Sequence, residues 1–202
     1  FLQGQNCMAG TRLFVHKDIF DPVVAGIKEM AESFKIGHGL DPEKDFGPLI
    51  SGTQRKRVMS YIQTGIDEGA ELVTGGEMVG DKGFFVKPTI FTQIHGDMKI
   101  AKEEIFGPVL CAQSFDNNDL EAIAQQANDT SYGLSGSVWT QNISVAHKMA
   151  MLIDAGQVSI NWHAAVDPAI PFGGNKQSGW GREFGKEGLE PCLKAKATSV
   201  IF

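Results

Sequence analysis

The sequence predicts an α/β fold, a mostly parallel sheet flanked by helices. Strand-like and helix-like segments alternate along the chain, as they do where parallel strands are joined by helical crossovers. Gly, Pro, Asn and Asp punctuate the boundaries, and Gly reaches 24 of 202 residues without a repeat. A Gly excess of that kind marks tight turns and close backbone approaches. Hydrophobic residues make up 42% and charged residues 21%, which predicts a packed core rather than disorder. The length fits about one domain.

TRLFV (11–15) opens the pattern as a strand or the start of a helix. Asp21-Pro22 reads as a helix start, an N-cap acid followed by Pro at the first helical position. Val23, Val24, Ile27, Met30, Ala31 and Phe34 then recur at helical spacing, and Gly37 is placed to stop the run. Residues 38–50 read as loop. A second helix is predicted from Thr53 to Glu68, with Val58, Tyr61, Ile62 and Ile66 on one face and Gly69 as its stop. AELVTGG (70–76) reads as a short strand and a turn. GFFVKPTIF (83–91) is β-branched and aromatic, but Pro88 confines it to an edge strand or a strand end. PVLCAQSF (108–115) reads as a buried strand. Asn117 or Asn118 is placed to cap a helix through Leu120, Ile123, Ala124 and Ala127. LSGSVWT (134–140) and QVSIN (157–161) read as strands around a helix over 143–154, which Gly156 stops. Residues 162–185 are a Gly-rich loop. A short helix is expected near 186–191 and a last strand within 194–202.

Several function classes are disfavoured. A net charge of −6 argues against a nucleic-acid surface, which carries a basic stripe. No apolar run approaches the roughly 18 residues of a membrane span. FLQGQNCMAG lacks the basic and apolar regions of a signal peptide. Three widely spaced cysteines argue against a disulfide framework and for a reducing, cytoplasmic setting. The histidines at 16, 38, 95, 147 and 163 form no ligand-spaced pair and there is no C-x-x-C, so no metal is expected.

Cys7 stands apart from the other two cysteines. Its neighbours Gly4, Gln5, Asn6 and Gly10 describe a bendable, partly polar loop that a substrate can approach. A nucleophilic cysteine needs that access. Cys111 and Cys192 fit the ordinary role of a small buried hydrophobe. A Cys/His hydrolase with His16 or His163 as base is the alternative that these residues leave open.

Five ordered segments resemble the motifs of the aldehyde dehydrogenase superfamily. FLQGQNCMAGTR (1–12) resembles its cysteine motif, and GFFVKPTIF (83–91) its Gly–aromatic–Pro-Thr segment. KEEIFGPV (102–109) resembles its Glu-Ile-Phe-Gly-Pro motif, and NDTSYGLSGSVWT (128–140) its Tyr-Gly-Leu motif. PFGGNKQSGWGRE (171–183) resembles its second Gly-rich segment. The stretch NWHAAVDPAIPFGG is similar to phenylacetaldehyde dehydrogenase-like members.

The resemblance implies oxidation of an aldehyde to an acid with NAD or NADP. Cys7 matches the nucleophile, which forms a thiohemiacetal and then a thioester, and its N–H matches part of an oxyanion hole. Glu104 matches the acid that binds the nicotinamide ribose, and Phe106 the aromatic beside the nicotinamide. Gln54 and Arg57 fall where the family touches the adenosine side. By residue type alone, Glu103-Glu104 reads as a solvated acidic pair, Phe106 as core, and Gln54 and Arg57 as solvent-facing. Asn6, Met8, Trp162, Ala164, Val166 and Phe172 match positions around the substrate. The apolar and aromatic character of Trp162, His163, Ala164 and Val166 with Met8 and Phe172 favours an aromatic or medium-chain aldehyde.

The resemblance covers the C-terminal catalytic portion, without the family's N-terminal coenzyme-binding domain. The general-base glutamate, the oxyanion-hole asparagine and the lysine on the adenosine ribose have no counterpart among the 202 residues. The expectation is that the chain alone is inactive. It is read as a catalytic domain over 1–193 and an oligomerisation strand over 194–202 that docks on another subunit of a homodimer or tetramer. A non-catalytic oligomerisation module and a thiol esterase are the alternatives.

Overall fold

Strand β1 (Arg12–His16) turns directly into helix α1 (Lys17–Ser33), because the His16 side chain accepts the Asp18 N–H and caps the helix. The computed structural model describes residues 1–202 except Asn117 and Ala165. The chain packs as two units, Phe1–Thr130 and Ser131–Phe202. That division falls inside the span read from sequence as one domain.

Helix α1 begins five residues before the predicted start, with His16 rather than Asp21 as N-cap and Lys17 rather than Pro22 as its first residue. Pro22 lies inside it, in its second turn, where the missing N–H forfeits one intrahelical bond without ending the helix. The helix also stops well before Gly37. Phe34 is extended (φ −65°, ψ 124°), and its ring stacks on Phe46 with centroids 5.7 Å apart. Helix α2 (Gly52–Asp67) matches its prediction to within a residue. Ser51 Oγ caps it by accepting the Gln54 N–H at 3.1 Å. Val58, Tyr61 and Ile62 are buried as their spacing predicts, whereas Ile66 is exposed. Gly65 takes the inward position instead, where a Cβ would stand 2.7 Å from Ile100 Cδ1.

Strand β2 (Glu71–Thr74) pairs antiparallel with β3 (Thr89–Thr92). A one-turn helix α3 (Lys99–Lys102), which the sequence pattern did not reveal, precedes β4 (Val109–Phe115). β4 pairs parallel with both β3 and β1, giving the order β1-β4-β3-β2. Pro88 does end the strand-forming run, since β3 starts one residue later. Of the two alternatives, edge strand or strand end, the second holds, because β3 lies inside the sheet and all four of its residues are buried. The Thr89 N–H donates to the Pro108 carbonyl at 2.8 Å, so the missing Pro88 donor falls outside the ladder. The core packs Val58, Tyr61 and Ile62 with Phe91, Ile100, Ile105, Val109 and Cys111. Helix α4 (Leu120–Asn128) is capped by Asp119, not Asn118, through the N–H groups of Glu121 and Ala122. Asn117 lies outside the described residues.

In the second unit, β5 (Tyr132–Gly133) precedes β6 (Ser135–Val138). Helix α5 (Ile143–Leu152) follows, capped by Asn142, and leads to β7 (Gln157–Ile160) parallel to β6. This crossover is the one predicted. Within the Gly-rich loop, β8 (Asn175–Lys176) pairs antiparallel with β5. Helix α6 (Gly185–Leu189) leads into a 3₁₀ turn, Glu190–Cys192. Residues 194–202, expected to hold a last strand, are exposed and pair with no strand among the described residues. The architecture is α/β with mostly parallel pairing.

Candidate active site

The Cys7 loop is built from its own backbone polarity. Asn6 Oδ1 accepts the Met8 N–H at 2.9 Å, and the Asn6 carbonyl accepts the Ala9 N–H at 3.0 Å. This side-chain-supported turn holds Cys7 at its corner, exposed and outside any disulfide. The Cys7 N–H has no acceptor among the described residues. Upstream, Gln5 Oε1 accepts the Ile50 N–H at 2.9 Å, tying the loop to the segment that leads into α2.

A second segment, Glu104 to Pro108, lies against this loop. Gly4 has φ +70°, and a Cβ there would overlap the Gly107 carbonyl. A Cβ at Gly107 would in turn overlap Val58 Cγ2 on α2. Glycine at both positions lets the two loops and the helix close on one another. Phe106, half-buried, has φ +59°, a backbone state that costs a non-glycine residue about 1–3 kcal/mol.

Gln54 and Arg57 lie on this turn. Gln54 Nε2 donates to the carbonyls of Ile105 (3.2 Å) and Phe106 (2.7 Å). Arg57 Nη2 donates to the Glu104 carbonyl (2.7 Å) and to Tyr61 Oη (3.2 Å). The reading of the two acids as one solvated pair does not hold. The Tyr61 hydroxyl donates to Glu103 Oε2 at 2.6 Å, and Lys99 Nζ lies 4.0 Å from the same oxygen. The carboxylate of Glu104, half-buried, has no partner among the described residues. Sequence reasoning missed the part played by Tyr61 and Glu103, because residues 42 positions apart share no local pattern.

The other cysteines differ. Cys111 is buried in β4, its thiol donating to the Ile100 carbonyl at 3.4 Å. Burial pushes its pKa up to about 12, partly opposed by the Arg12 guanidinium. Cys192 is exposed, against the expectation of burial, because it ends the 3₁₀ turn at the chain's exposed tail. Alkylation of the folded chain is therefore expected at Cys7 and Cys192, with Cys111 reacting at least about 100-fold more slowly until denaturant is added. Peptide mapping after timed iodoacetamide exposure measures this, and equal labelling of Cys111 would contradict its burial.

His16 Nδ1 is engaged with the Asp18 N–H at 3.3 Å, and His163 Nδ1 lies 3.2 Å from Ser137 Oγ. Neither contact supports the Cys/His alternative. Among the described residues, no three His, Cys, Asp or Glu gather as a metal site. Among the described residues no helix is long and apolar enough to cross a membrane.

The remaining sequence candidates lie in the second unit. Trp162 and Val166 are exposed, and Ala164 is half-buried with φ +54°. Phe172 is half-buried and pairs with Glu183 through two backbone hydrogen bonds of 2.8 and 2.7 Å. Arg182, which sequence reasoning did not single out, organises the Gly-rich segment. It donates to the carbonyls of Gly174 (2.7 Å) and Gly181 (2.9 Å) and to Asn175 Oδ1 (2.9 Å). Five donors in a planar fork suit that task. Neither Gly173 nor Gly174 has positive φ, and a Cβ on Gly173 would overlap the Gly181 carbonyl.

The aldehyde dehydrogenase from Bacillus cereus in its NAD+ complex superposes with a TM-score of 0.90 at 48% identity, over 93% of this chain and 38% of that one. Betaine aldehyde dehydrogenase from Staphylococcus aureus in complex with NAD+ gives 0.90 at 37% identity, over 95% and 38%. Among curated sequences, the mitochondrial aldehyde dehydrogenase of Leishmania tarentolae is 43% identical over 98% of this chain and 39% of its own length. The aldehyde dehydrogenase of Enchytraeus buchholzi is 45% identical over 98% of this chain and 39% of its own length. The chain thus spans about two fifths of the length of these relatives. The aldehyde dehydrogenase family pattern itself runs across residues 1–198, and on that match the chain belongs to the aldehyde dehydrogenase family.

Proposed function

We propose that this chain carries the nucleophile and the nicotinamide-side wall of an NAD(P)-dependent aldehyde dehydrogenase. The observation that supports this most is the packing of Gly4 on Gly107. It sets the Cys7 loop beside a turn whose Glu104 carboxylate is uncommitted. An ionised carboxylate is acceptor-only and can take two vicinal ribose hydroxyls. The Phe106 ring, two residues on, offers an apolar neighbour for a nicotinamide. The residues present therefore fit that half of the cofactor, which when bound supplies the acceptor for hydride.

The covalent steps run on Cys7. The Cys7 thiolate adds to the aldehyde carbon, a C–S bond forms, and the carbonyl pair moves onto oxygen. The Cys7 N–H, with no acceptor of its own, is placed to donate to that oxygen. Loss of hydride leaves the acyl group on Cys7 as a thioester, and attack by water or by a thiol such as coenzyme A releases it. Covalent capture splits one difficult step into two easier ones. Asn6 and Met8, beside Cys7, are proposed to contact the substrate, an aromatic or medium-chain aldehyde; for Trp162, Ala164, Val166 and Phe172 a substrate role rests on the family resemblance alone. Residues 194–202 are proposed to dock on a second copy in a cytoplasmic homodimer or tetramer.

The test is aldehyde-dependent NADH formation by the chain with phenylacetaldehyde, followed by mass analysis for an acyl group. Acylation of Cys7 is expected, with turnover far below that of a full-length relative. An acyl group found on Cys192 instead would overturn the assignment.

A further inference from the structure

Gln54 stands where it should close a capping box, and it does not. Ser51-Gly52-Thr53-Gln54 has the sequence form in which the Gln side chain turns back onto the N-cap N–H. Only half of that box forms among the described residues. Ser51 Oγ accepts the Gln54 N–H, while Gln54 Nε2 reaches across to Ile105 and Phe106. Arg57, three residues on and so on the same helix face, takes the Glu104 carbonyl. Two side chains of α2 thus hold three consecutive carbonyls of one turn. That turn contains Phe106 in its left-handed state and carries the uncommitted Glu104 carboxylate.

We infer that Gln54 and Arg57 are positioning residues, which fix the backbone of residues 104–106 so that Glu104 and Phe106 are aimed before the cofactor arrives. This rests on the functional reading above and departs from the expectation that the pair binds the adenosine side. Gln54 Nε2 donates only to backbone carbonyls, and Arg57 Nη2 donates to the Glu104 carbonyl and the Tyr61 hydroxyl. Tyr61 strengthens the arrangement, accepting from Arg57 and donating to Glu103, which keeps Glu103 away from the role left to Glu104. The Arg57 guanidinium also lies 4.9 Å from the Tyr61 ring centroid.

The test uses the full chain with the near-isosteric Gln54→Met, with Arg57→Met and Arg57→Lys, and with Glu104→Gln. Backbone amide NMR reports the 105–107 turn, NAD titration reports affinity, and a thermal melt reports stability. Gln54→Met is expected to displace the amide signals of Ile105, Phe106 and Gly107 and to weaken NAD about tenfold. Its combination with Glu104→Gln is expected to be no weaker than Glu104→Gln alone. Arg57→Lys, which keeps a donor for the Glu104 carbonyl, is expected to retain affinity that Arg57→Met loses. Displaced signals with unchanged affinity overturn the inference. So does a loss of affinity that adds to that of Glu104→Gln with the turn signals in place, since Gln54 would then touch the cofactor itself. A wild-type chain that shows no response to NAD instead overturns the functional reading, and with it the cofactor half of this inference.

Discussion

Replacing Cys7 by serine is expected to abolish acylation at that position and to bring the residual NADH formation down to its level without aldehyde, since removal of a nucleophile acts on a scale of about a thousandfold. The structure gives serine no route to compensate. A hydroxyl needs an engaged base to become nucleophilic, and the nearest histidine in sequence, His16, holds its Nδ1 against the Asp18 N–H as the cap of α1. The loop itself is expected to survive the change. Its turn is made by the Asn6 side chain and carbonyl, and the exposed Cys7 thiol supports no packing. Stability should therefore stay within about 0.5 kcal/mol of wild type, which thermal melts will check. Cys192→Ser is the control, another exposed thiol whose loss should leave the rate unchanged. A Cys7→Ser chain that keeps its rate would move the chemistry away from the loop altogether.

What the sequence made legible follows the range of the interactions. The inward face of α2 was readable because Val58, Tyr61 and Ile62 repeat at helical spacing, and β4 because it is an unbroken apolar run. Ile66 failed the same test because Ile100, from a different element, fills the space beside Gly65. Pro88 left an edge strand or a strand end open, and the strand end is what forms. Proline forbids a ladder donor only at its own position, and the ladder begins at Thr89. The start of α1 was misplaced because its cap is a histidine, a residue that carries no general N-cap signal.

At the site, the motif resemblance pointed to Cys7, Glu104 and Phe106, and the structure brings the segments that hold them together. The task of Gln54 and Arg57 was not legible. It depends on carbonyls about 50 residues away and on a backbone state at Phe106 that no local preference announces. Residues 194–202 show the opposite limit. Their strand-like composition is a propensity, and a strand needs a neighbour to pair with, which the described residues do not supply.

Alkali is expected to unfold the chain partly through Cys111. Its thiol is 2% exposed, and burial raises its pKa from the ordinary 9.0 to about 12. The folded state therefore holds the proton that the unfolded chain gives up. The stability gained from that difference is fully present below pH 9 and is lost as the pH rises toward 12. Over that window the loss is about 4 kcal/mol, as an order of magnitude. Tyrosines and lysines titrate in the same range, so the measurement that isolates Cys111 is the difference between wild type and Cys111→Ala in urea unfolding at successive pH values. At neutral pH the variant should be less stable by about 1–2 kcal/mol, for the lost sulfur and the gap it leaves. From pH 9 upward the gap should shrink by about 1.4 kcal/mol per pH unit. It should then reverse, because alanine has no proton to release. A gap that stays constant would mean that the thiol ionises within the fold, which requires water beside Ile100 and Val109 where the packing leaves none of those side chains exposed.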